Sequence, residues 1–93
     1  MCSDAAEHRF VVDVDPSADA LVRILNPFAV RQVMLTAVRH SRADAGACAI
    51  METAGLSPAV AELLGLRLAQ MPHVRRVEIQ DMRRAAAEFR LRD

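Results

Sequence analysis

The sequence predicts an α+β fold in which one four-stranded antiparallel sheet carries two helices on a single face. Three observations lead there. Stretches of two-residue and of 3.6-residue hydrophobic period alternate in the order strand, helix, strand, strand, helix, strand. Ninety-three residues, 53% hydrophobic and 26% charged, match one soluble core, and a chain this short buries only about 60 to 65% of its unfolded surface. Right-handed crossovers for the two strand-helix-strand units then favour the strand order 4-1-3-2. That arrangement is the ferredoxin-like βαββαβ sandwich. The expected domain spans residues 8–80, between a flexible tail, 1–7, and a helical one, 81–93.

The first strand is "HRFVVDV", residues 8–14, where Phe10, Val12 and Val14 alternate against Arg9, Val11 and Asp13. In "DPSADA" the chain turns, and either Asp15 or Ser17 is placed to cap a helix by accepting from its free amides. Leu21, Ile24, Leu25 and Phe28 then form an apolar stripe over two turns of helix. The stripe runs past Pro27, whose missing amide and bulky ring cost roughly 3 kcal/mol in a helix interior. Burying Phe28 outweighs one hydrogen bond, so the expected outcome is a kinked helix from about Ser17 to Gln32. A break at Asn26, with 27–32 as a separate turn, is the alternative.

"VMLTAVRH" at 33–40 and "ACAIMET" at 47–53 read as an antiparallel hairpin across the polar, glycine-ended "SRADAG". The second helix is announced by Ser57 as cap, Pro58 as first residue, Pro72 as stop and an apolar stripe of Val60, Leu63, Leu64, Leu68 and Met71. Gly65 inside it costs about 1 kcal/mol against alanine, which implies a close backbone approach there. "VRRVEIQ", 74–80, is the last strand. The tail "DMRRAAAEFRLRD" sets Met82, Ala85, Ala86 and Phe89 on one side of a helix too short to stand alone, so it frays or docks.

Composition limits function. Twelve arginines balance twelve acids, with no lysine, so nothing in the net charge asks for a polyanion. No apolar run spans a membrane and "MCSDAAEHRF" lacks the regions of a secretory signal, so the expected address is cytoplasmic. Cys2 and Cys48 form no metal-type or disulfide pattern and are expected as free thiols. His40 and His73 fall at one end of the sheet on opposite edge strands, roughly 14 Å apart across three strand spacings. His8 falls at the other end. All three therefore read as surface histidines, with no metal site and no cofactor.

No catalytic constellation is found. Asp13, Asp15 and Asp19 crowd the first turn, but no histidine, thiol or phosphate loop accompanies them. RNA binding on such a sheet needs stacking aromatics, and Phe10, alone on the central strands, faces the core. Arg9, Arg39, Arg75 and Arg76 read as a solvated face paired to Asp13 and Glu78. Apolar surface left over at Val11, Leu66 and around Phe89 exceeds what one helix layer covers, which favours a homodimer or, in a monomer, a tail folded over the sheet.

The run "HRFVVDVDPSADALVRILNPFAVRQVMLTAV", from His8 to Val38, resembles the opening half of an ACT domain, most like the small regulatory subunit of acetolactate synthase. It aligns without a gap, with Leu21, Arg23 and Phe28 where that family has Leu, Arg and Phe, and the likeness continues by pattern to residue 80. The resemblance implies a non-catalytic regulatory module that dimerises, binds a small amino acid at the dimer seam and modulates an enzyme of amino-acid biosynthesis. It places ligand contacts at Asp15, Pro16, Ser17, Ala18, Asp19 and Ala20, with Met34 and Leu35 reaching across the seam. Two positions depart from the family: Asp19 replaces a turn glycine and Met34 an asparagine. A carboxylate there repels the ligand's carboxylate, and methionine lacks the amide's paired hydrogen bonds. The rival reading is a dimeric scaffold that has lost its ligand.

Overall fold

The computed structural model describes residues 7–43 and 46–82. Its elements are β1 (His8–Val14), α1 (Ala20–Val30), β2 (Met34–Ala43), β3 (Gly46–Ala54), α2 (Pro58–Ala69) and β4 (Val74–Asp81). The sheet order is β2-β3-β1-β4, all antiparallel, which is the expected 4-1-3-2 read from the other edge.

Alternation in the central strands sets the two faces. Phe10, Val12 and Val14 of β1 and Ala47, Ala49 and Met51 of β3 point into one core with Ala20, Ile24 and Phe28 of α1 and Ala61, Leu64 and Leu68 of α2. Both helices therefore cover the same face. The rings of Phe10 and Phe28 meet edge to face at 5.1 Å, a favoured quadrupole geometry. Leu21 and Leu25 are half-buried at the margin of this core.

Helix α1 is continuous through Pro27 and starts and stops inside the expected limits. Its N-cap is Asp19, not Asp15 or Ser17, and the Asp19 side chain caps nothing. Ser17 instead accepts the Ala20 amide on its carbonyl and donates its hydroxyl to Asp19 Oδ1. At the other end the Gln32 amide bonds the Ala29 carbonyl and the Val33 amide bonds that of Phe28. That paired closure needs a left-handed residue, and Gln32, at φ 57°, takes the place where glycine is usual.

In α2, Ser57 Oγ accepts the Val60 amide and Pro58 follows as first residue, as expected. The buried side is Ala61, Leu64, Gly65 and Leu68. Leu63, expected in the stripe, is 40% exposed, because the helix is turned so that Ala61, Leu64, Gly65 and Leu68 face inward and Gly65 lies against β4. Gly65 does mark a close approach, to Ile79.

Strands β2 and β3 run further toward their turn than "VMLTAVRH" and "ACAIMET" indicated, to Ala43 and from Gly46. Along β2 only Leu35 is half-buried, while the other described side chains are exposed. A bulge at Thr36, whose hydroxyl donates to the Glu52 carbonyl, turns Leu35 toward the helices and Ala37 away from them. The expected helical tail lies outside the described residues beyond Met82, whose amide still bonds the Glu7 carbonyl.

Candidate functional site

The stretch from Asp15 to Ala20 forms the exposed turn between β1 and α1, with only Ala20 fully buried. Each acid near it has its own partner. Asp15 Oδ1 receives Arg75 Nε at 2.7 Å, tying the turn to β4. Asp19 Oδ2 receives Arg23 Nε at 2.7 Å, one helical turn on. Bonds first from Arg23 and then from Ser17 hold the Asp19 carboxyl below its usual range. Asp13 is on the outer face of the sheet beside its cross-strand partner Cys48, whose thiol pKa it helps to raise. The three carboxylates therefore do not converge.

Met34 and Leu35 are not beside this turn. Leu35 pairs with Thr53, which pairs with His8, whereas Val14, just before the turn, pairs with Ala47. Those two rows are six residues apart along β3, about 20 Å at 3.4 Å per residue. Within one protomer the expected contacts split into two half-sites at opposite ends of the sheet. Met34 is 66% exposed on the edge strand.

Several surface assignments need correction. His8 is buried, 4% exposed, because it shares the inward parity of Phe10, and its Nδ1 has no hydrogen-bond partner. His73 is half-buried with Nε2 in the same condition, so only His40 is an ordinary surface histidine. Among the described residues no group of three or more His, Cys, Asp or Glu side chains is placed to hold a metal ion. Arg9 pairs with Glu52 at 3.0 Å and Arg75 with Asp15, not with Asp13 and Glu78. The bond from Arg75 to Asp15 is what sequence reasoning missed. A register shift between Asp13 and Val14 makes Arg75 an extra residue of β4, which no local period reveals.

The turn is thus exposed and held by ion pairs, beside an edge strand and a closed core. The sequence profile of the ACT-like domain family matches residues 2–86. The chain belongs to the ACT-like domain family. Domains of this family are generally regulatory and non-catalytic. Among solved structures, the ACT-like chain is similar to the solution structure of the C-terminal domain of the MgtC protein from Mycobacterium tuberculosis. The TM-score is 0.69 at 23% identity, covering 85% of this chain and 89% of that one. At that identity the likeness is one of fold. No curated protein matches the chain. No helix among the described residues is long and apolar enough to cross a membrane.

Proposed function

We propose that this ACT-like domain is a cytoplasmic regulatory module that works as a homodimer joined through β2. On this reading it senses an amino acid at the seam and modulates a partner enzyme of amino-acid biosynthesis, as the resemblance to the acetolactate synthase small subunit implies. The separation of the two half-sites supports this reading most. Antiparallel pairing of two β2 edges sets the Met34 end of one copy beside the Ala43 end of the other, which is the end where the Asp15–Ala20 turn lies. Only a second copy unites what one chain keeps about 20 Å apart. The long edge strand, with its outward backbone groups unpaired within the described residues, is the surface such pairing uses.

The Asp19–Arg23 ion pair favours a second reading, in which the dimer is a scaffold without ligand. The turn then presents a neutralised carboxylate in place of bare backbone amides, and Met34 offers no donor.

Sedimentation equilibrium together with thermal unfolding against the common amino acids tests both. The proposal expects a dimer, and stabilisation of about 2.7 kcal/mol by a ligand at one hundred times its dissociation constant. A dimer that no amino acid stabilises leaves the scaffold. A monomer at micromolar concentration removes both.

A further inference from the structure

On the face of the sheet opposite the helices, Ser41, Cys48, Asp13 and Arg76 lie side by side, one from each strand, as successive cross-strand partners. Arg75 joins them. Two consecutive residues of a regular strand point to opposite faces, but the bulge in β4 lets both Arg75 and Arg76 reach this one. Arg75 lies over Gly46, where a β-carbon would stand 3.3 Å from its Nη1, so glycine makes the room. These side chains line an open cavity of about 460 Å³.

The central observation is an acid and a base that face each other without pairing. Asp13 and Arg76 are direct partners across β1 and β4, where opposite charges normally close on one another. Here Asp13 lies beside Cys48 across β1 and β3, Arg75 is held by Asp15, and no hydrogen bond or ion pair joins Arg76 to Asp13. A bare anion entering would meet the Asp13 carboxylate, and a bare cation would meet two guanidiniums. A molecule carrying both charges satisfies both walls.

We propose that this outer-face cavity is a binding site for a small zwitterion, its carboxylate on Arg76 and its ammonium on Asp13. It lies within a single protomer on the face opposite the helices, bordering β2 at Ser41 and the turn before α1, and needs no residue of a second copy. Through Arg75 and Asp15 it touches the far side of that turn.

Amide NMR titration of the whole chain with glycine, L-leucine and L-glutamate tests it, with butylamine and butyrate as single-charge controls. Expected are saturable shifts centred on Asp13, Ser41, Cys48 and Arg76 for at least one zwitterion, and affinity about tenfold or more weaker for either control. Arg76→Gln and Asp13→Asn should each weaken binding about tenfold or more, since each removes a charged hydrogen bond. The spectra of the free variants show whether they fold, and Arg76→Lys should retain part of the affinity. Shifts confined to residues 15–20 and 34–35 overturn this site and leave the seam standing. Equal binding of a control, or no shift with any zwitterion, overturns it as well.

Discussion

Gly65 on α2 lies so close to Ile79 on β4 that a β-carbon at Gly65 would stand 2.5 Å from Ile79 Cδ1. The helix gives up about 1 kcal/mol of propensity relative to alanine so that α2 can settle onto the last strand. Gly65→Ala regains that propensity only by displacing the tip of Ile79. The expected result is coupling: Gly65→Ala should be at least about 1 kcal/mol less favourable in the natural background than beside Ile79→Val, which removes Cδ1. Urea unfolding of the four chains measures it.

Pro27 leaves the Arg23 carbonyl without its helical partner, at a position where Arg23 itself is exposed and water can bond it. Solvation recovers part of the usual penalty. Pro27→Ala should therefore stabilise the domain by about 1 to 2 kcal/mol, less than the full interior cost of proline. A destabilised variant would show that the ring itself is needed between the helices, where it borders a groove with Arg67.

Gln32 closes α1 in a left-handed conformation that costs a residue with a β-carbon roughly 1 kcal/mol. Gln32→Gly should raise stability by about 0.5 to 1 kcal/mol, and Gln32→Val, branched at that carbon, should lower it. Thermal unfolding of both variants decides between this view and one in which the Gln32 side chain contributes.

Burial, and then the neighbouring Asp13, push the Cys48 thiol above its ordinary value of 9.0. The folded state thus holds this proton more tightly than the unfolded chain. The stability this contributes is complete below about pH 9 and is lost as pH rises through the folded value. In a Cys2→Ser background, alkylation of Cys48 by iodoacetamide should show an apparent pKa above 9.0, and Asp13→Asn should lower that value and quicken the reaction at pH 8. An unchanged profile in the variant would separate Asp13 from the thiol.

Features that depend on neighbours in the chain were legible without coordinates. The alternation of β1, the Ser57 and Pro58 start of α2, the order of the six elements and the persistence of α1 past Pro27 all follow from local period and capping. What depends on how one element faces another was not. Leu63 was misassigned because the approach of Gly65 to Ile79 sets which side of α2 turns inward. His8 was read as surface because its parity counts only once helices cover that side. Arg75 was paired wrongly because a bulge shifts the register of β4.

The order and periodicity of its residues alone determined that this chain forms a ferredoxin-like sheet with both helices on one side, since each element states its period and crossovers have one hand. Tertiary structure alone decided the separation of the two halves of the expected ligand site and the gathering of Asp13, Ser41, Cys48, Arg75 and Arg76 on the opposite face. Those relations join residues up to 63 positions apart, and only strand register brings them together.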